Sequence, residues 1–291
     1  DLPVESFLEN LRTQGGCSKL TLNAYTNDTQ QFAGFLHSLN DRPPLVADFN
    51  PNQIKQFFDN ERLQGRKHST LLRRRASIRR FALYLNQHQL IDEGQNIGSE
   101  LTNDSNSKRS WRKQHPKRLS SNDIDKVLEV ISGANSSRAL RDHAILSLLA
   151  KCGITIATLV SIDFEDFDGV NHKILTKPEG DSSGYWQNIP LTSPLISEYL
   201  REGRPNLTDS KVETALFVSQ MGGRISRQAV WQSLKNWANV AKIKNPFTPR
   251  AIRYAAVSRM LERGLSVKQI QARIGHKNIF STYALIRRIT K

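Results

Sequence analysis

Cysteine is almost missing from this 291-residue chain, which has only Cys17 and Cys152. Two cysteines exclude a disulfide framework, and Cys152, at the end of the apolar run Ala144 to Cys152, reads as a small core residue. No stretch reaches the ~18 apolar residues of a membrane span, and no signal-peptide pattern is present, so a reducing cytoplasm is expected and no membrane partner. Acidic side chains are scarce where basic ones are dense. Residues 201–291 hold eighteen Lys or Arg against four Asp or Glu, whereas residues 151–200 hold three against seven. The net charge of +15 is thus concentrated toward one end, a field that attracts a polyanion. A merely soluble basic surface is the other reading of that surplus. The length suits two domains, each with its own core.

Residues 1–92 read as a helical domain. Leu22, Tyr25, Phe32, Phe35 and Leu36 give one buried stripe. In the segment Ser69 to Gln87, Ser69 or Thr70 can cap the start, and Leu72, Ala76, Ile78, Phe81, Ala82 and Leu85 can face a core. Arg73, Arg74, Arg75, Arg79 and Arg80 then crowd the remaining surface without an acidic neighbour in the segment, which favours contact with a phosphate backbone over an ordinary solvated face. Residues 93–117 change character. A polar stretch rich in Gly, Asn and Ser precedes Lys108, Arg109, Arg112 and Lys113, as in a flexible, then basic, interdomain linker. A basic linker between basic domains suits a clamp around DNA; an ordinary hinge is the alternative.

The second domain, residues 118–291, is expected to be mostly helical with a small sheet. Ser120 or Ser121 caps a first helix, an apolar helix from Arg141 to Cys152 ends at Gly153, and Lys173 to Leu191 forms a hairpin. Helices follow at Leu195–Arg201, Ser226–Ala241, Pro249–Arg263 and Ser266–Ile274. Near the C-terminal end four residues invite chemistry. Arg250 and Arg253 lie three apart on one helix face, His276 follows a glycine, and Tyr283 comes next. Paired guanidiniums hold phosphate oxygens, histidine moves protons and a tyrosine hydroxyl can attack phosphorus. The set suggests phosphoryl transfer on nucleic acid.

The order of these segments resembles the tyrosine recombinase (phage integrase) family of the Xer-like type, over nearly the whole chain. Thr21 to Leu39 and Thr70 to Leu90 resemble its N-terminal core-binding, SAM-like domain, and Arg141 to Leu146 resembles the opening helix of its catalytic domain. Leu216 to Ser219 with Gly222 to Ser226 resembles the stretch before a DNA-facing helix, and Phe247 to Ile279 resembles the C-terminal boxes. The resemblance implies a mainly α fold, with a core-binding domain and a mostly α catalytic-type domain forming a C-shaped clamp. It implies double-stranded DNA as partner, self-association on DNA as dimer or tetramer (or pairing with another recombinase), and no metal or nucleotide cofactor. It also implies DNA contacts from Arg224, Arg227 and Lys235.

Carried over position by position, the family's chemistry is incomplete. The first arginine of a Gly-Leu-Arg-like turn is Thr155 here, in Gly153-Ile154-Thr155. One hydroxyl cannot replace a bidentate guanidinium, and losing such a donor typically costs about 10²–10³ in rate. Lys177 is the hairpin lysine that the resemblance makes the acid for the leaving 5′ oxygen, or else an exposed lysine. Arg253 matches the phosphate-clamping arginine, Arg250 stands where a proton-handling histidine is usual, and Tyr254 where a second histidine is common. His276 matches the position that hydrogen-bonds the scissile phosphate, or is a turn residue. The nucleophile is expected nine residues after His276, at Leu285; Tyr283 is two residues early, about 200° around a helix. Eight residues follow it, Ala284 to Lys291, so an exchanged C-terminal segment would be short. The expected function is sequence-specific DNA binding in recombination or integration of a mobile element or replicon, without secure strand cleavage. The alternative is an active site-specific recombinase working through a 3′-phosphotyrosyl intermediate.

Overall fold

Short polar side chains start most of the helices. In a computed structural model describing residues 1–14, 17, 19–91, 119–177, 184–208 and 213–290, the chain divides into two compact units, Asp1–Lys113 and Gln114–Lys291. The expected linker at 93–117, with Lys108, Arg109, Arg112 and Lys113, lies outside the described residues. Among the described residues, no helix is long and apolar enough to cross a membrane.

The first unit packs α1 (Val4–Thr13), α2 (Lys19–Asn40), α3 (Pro51–Leu63) and α4 (His68–Gln87). Asn50 caps α3 by accepting the Gln53 amide at 3.1 Å, with Pro51 in the first turn, where a missing N–H does no harm. Its core is aromatic. Phe32 meets Phe49 and Phe57 edge-on at 5.7 and 5.2 Å between ring centroids, and Phe81 meets Phe49 at 5.4 Å. Such pairs add about 0.5–1.5 kcal/mol each beyond burial.

Helix α4 is turned relative to the arginine-stripe reading. Its buried face is Leu71, Arg74, Arg75, Ser77, Ile78, Phe81, Tyr84 and Leu85, while Leu72 and Ala76 are exposed. Arg74, only 4% exposed, donates to Glu61 and to Gln31 and lies over the Phe57 ring. Arg75 is buried over the Phe58 ring, 5.0 Å from its centroid. Both belong to the interior and not to a phosphate-facing surface. Their acidic and aromatic partners come from α2 and α3, so the absence of acids within the segment misled. Arg73 ion-pairs with the buried Asp28; Arg79 and Arg80 are exposed.

The second unit begins with α5 (Ser121–Ser132) and α6 (Ser137–Cys152). Ser120 caps α5 in a reciprocal box with Asp123, and Gly153 ends α6 in the left-handed conformation at φ 64°. After α7 (Ile156–Val160) comes a three-stranded antiparallel sheet of β1 (Phe167–Asp168), β2 (Lys173–Thr176) and β3 (Tyr185–Asn188). The expected hairpin is β2–β3, with Ile174 opposite Gln187; β1 is an additional edge strand. Helix α8 (Ser193–Glu198) runs into a π turn at Tyr199–Gly203, and α9 (Arg227–Val240), α10 (Pro249–Glu262), α11 (Val267–Ile274) and α12 (Ile279–Thr290) complete the unit.

Candidate functional site

Three helix ends converge on one guanidinium. Thr248 caps α10 by accepting the Ala251 amide at 3.1 Å, which places Arg250 in the first turn and Arg253 one turn on. Gly275 ends α11 at φ 72°, a conformation favouring glycine, and the chain turns there into His276. An apolar seam of Val257, Met260, Ile270, Ile274, Leu285 and Ile289 fastens α10, α11 and α12 together. Gly153 packs against the same seam: a Cβ there would come within 3.1 Å of Ile274 Cγ2.

Within this frame, Arg253 Nη2 donates to the Ile274 carbonyl at 3.2 Å and meets His276 Nε2 at 2.8 Å. His276 Nδ1 lies 2.9 Å from the hydroxyl of Thr282, which is fully buried. Among the described residues, Arg253 Nη1 is buried without a hydrogen-bond partner. A buried, unpaired charged donor is costly unless an acceptor arrives, so this atom could take an anion. Burial pulls the Arg253 pKa down, against the opposing influence of the Tyr185 and Tyr254 hydroxyls nearby. Burial, then the charge of Arg253, lowers that of His276.

The remaining expected site residues separate. Arg250 is exposed, donates from Nε to the Tyr254 hydroxyl at 2.6 Å and stacks on that ring. Tyr283 is 53% exposed, and among the described residues no hydrogen bond links it to Arg253 or His276. Leu285, at the expected nucleophile position, is 8% exposed and packed in the apolar seam. Thr155 caps α7, its hydroxyl accepting the Thr158 amide at 3.1 Å. Lys177 donates to the buried Asp166 at 2.8 Å; that bond, with Asp163 and Glu165 nearby, raises its pKa.

The expected DNA-contact residues of the second unit differ in kind. Arg224 is committed internally, to the Val160 carbonyl at 2.8 Å and to Asp163. Arg227 and Lys235 are exposed along α9, where Lys235 lies over the Trp231 ring. Sequence reasoning passed over Thr282, Tyr185 and the hydroxyl of Tyr254. Thr282 carried a usable signal, being one residue from Tyr283 on a helix seam; the strand residue Tyr185 carried none.

The histidines predict a pH response. His276 and His143 both have pKa values held below the ordinary 6.5, chiefly by burial, although Glu198 opposes the shift at His143. As pH falls through 6.5 the unfolded chain takes up those protons before the folded one, so stability rises with pH in that window and is lost below it. Between about pH 7.5 and about pH 5.5, the wild type will lose more unfolding free energy than His276→Asn, measured by urea denaturation. Equal losses would contradict a pKa of the half-buried His276 held below the ordinary value.

Known proteins resemble this chain over most of its length. A family model described as "Phage integrase family" matches residues 117–287, and one described as "Phage integrase, N-terminal SAM-like domain" matches residues 4–89. The chain is 28% identical over 295 residues to "Tyrosine recombinase XerD" of Listeria innocua, covering 99% of this chain and 94% of the relative. It is 28% identical over 284 residues to "Tyrosine recombinase XerC" of Herpetosiphon aurantiacus, covering 96% and 88%. Among solved structures it resembles the XerH site-specific recombinase bound to a palindromic difH substrate, with a TM-score of 0.74, 17% identity and coverage of 98% and 80%. A lambda integrase tetramer bound to a Holliday junction gives a TM-score of 0.70, 14% identity and coverage of 97% and 75%.

Proposed function

This chain belongs to the phage integrase family, and on that premise we propose that it binds duplex DNA and grips a backbone phosphate with Arg253 without itself cleaving the strand. The carrying observation is the buried, unpartnered Arg253 Nη1, alongside a leucine packed in the core at the nucleophile position. The exposed arginines of α4 and the exposed Arg227 and Lys235 of α9 supply further phosphate contacts, and the base sequence is read as a site by both units. The protein acts in recombination or integration, self-associating on DNA or assisting a partner recombinase that provides the tyrosine. Both cysteines are free thiols, the state that a reducing cytoplasm keeps.

Three departures from the family's chemistry support binding without cleavage. Thr155 is occupied as a helix cap, Lys177 is held by Asp166, and among the described residues Tyr283 has no bond to the phosphate grip. The half-exposed Tyr283 favours a second reading, in which its hydroxyl attacks phosphorus, the bond to the 5′ oxygen breaks, and that oxygen takes up a proton.

A nicked suicide duplex carrying the site, recovered first by selection from random sequences, separates the two. Binding with no covalent protein–DNA species on a denaturing gel is expected. An adduct that disappears in Tyr283→Phe would overturn the binding-only reading. Absence of any selectable duplex would overturn DNA recognition itself.

A further inference from the structure

The phosphate grip has a support that its chemistry requires and that the family resemblance did not point to. Arginine has donors only, so at the 2.8 Å contact His276 Nε2 must be the acceptor. A neutral imidazole with a lone pair on Nε2 carries its proton on Nδ1. That proton has one visible destination, the Thr282 hydroxyl oxygen 2.9 Å away. Thr282 has no solvent exposure, so water does not compete for the bond.

We infer that Thr282 is a positioning residue of the phosphate site: it holds His276 in the tautomer that accepts from Arg253 and so aims Arg253 Nη1 at the phosphate. The inference rests on the DNA-binding reading above. Arg253 Nη2 is fixed on two sides, by the Ile274 carbonyl and by His276 Nε2, and this sets the plane of the guanidinium. Nη1 is left buried and, among the described residues, without a hydrogen-bond partner. In the other tautomer, an imidazole N–H would face a guanidinium N–H and the two donors would repel. In the DNA-free chain His276 therefore orients the arginine.

The test combines two substitutions with two readouts on the full chain. Thr282→Val keeps the shape and removes the hydroxyl; Thr282→Ser keeps the hydroxyl. Nitrogen NMR of labelled histidine, without DNA, reads the tautomer. Fluorescence anisotropy on the selected duplex reads affinity. The unmodified chain and Thr282→Ser will show Nδ1–H and bind alike. Thr282→Val will lose that signature and bind on the order of tenfold more weakly.

An Nε2–H signal for His276 in the unmodified chain overturns the inference even if Thr282→Val does not fold. So does a folded Thr282→Val that binds as tightly as Thr282→Ser. If the unmodified chain binds no DNA, the functional reading fails, and the tautomer signal still judges the Thr282–His276–Arg253 relay by itself.

Discussion

Arg253→Ala will weaken DNA binding by roughly 10- to 150-fold, whereas Arg250→Ala will change it little. The difference follows from environment, since both side chains are guanidiniums on the same helix. Arg250 is exposed, stacked on Tyr254 and already bonded to its hydroxyl. Arg253 is held by Ile274 and His276 and keeps one buried donor open. A hydrogen bond to a charged group contributes about 1.5–3 kcal/mol, and every ~1.4 kcal/mol is tenfold in affinity. Arg253→Lys will recover only part of the loss, because an ammonium cannot keep both existing acceptors and still offer a second, planar donor. Anisotropy titrations across a salt series provide a second check. Removing one phosphate contact lowers the magnitude of the log–log slope by about 0.9. Equal losses at Arg250 and Arg253, or an unchanged slope, would mean that Nη1 does not face a phosphate.

Much of the fold was legible because it rests on local rules. Ser120, Ser226 and Ser266 cap helices where a serine precedes an apolar period, and Gly153 and Gly275 end helices where a left-handed residue is needed. Leu285 and Tyr283, two residues apart on one helix, face different ways, and Leu285 points into the apolar seam. What could not be read depends on contacts between segments distant in sequence. The histidine–arginine bond spans 23 residues and required the α11 turn. Arg224 looked like a free cation because its acceptors, Val160 and Asp163, lie about sixty residues away. Arg74 and Arg75 of α4 were misread for the same reason. A helical pattern ranks side chains by polarity, and a charge that is buried with a partner from another helix inverts the ranking.

That inversion leads to the largest expected effect on stability. Glu61→Ala will destabilise the N-terminal unit by about 3–5 kcal/mol, a large share of the ~5–15 kcal/mol that typically holds a native protein together. Glu61 and Arg74 are both nearly inaccessible to solvent, and Arg74 donates directly to the Glu61 carboxylate. Without that carboxylate the guanidinium stays buried, with Gln31 bonded and Asp28 3.7 Å from its Nε. The penalty comes from a buried guanidinium left with Asp28, already paired to Arg73, as its counter-charge, so removing both charges relieves most of it: Glu61→Leu with Arg74→Met will be far more stable than Glu61→Ala alone. The tryptophans make the measurement specific. Trp186, Trp231 and Trp237 lie in the second unit and only Trp111 precedes it, so far-UV circular dichroism sees both units while tryptophan fluorescence is weighted to the second. In Glu61→Ala, part of the helical signal will melt early without a matching fluorescence change. An unshifted circular dichroism transition, or a double variant no better than the single one, would show that the pair does not govern this core.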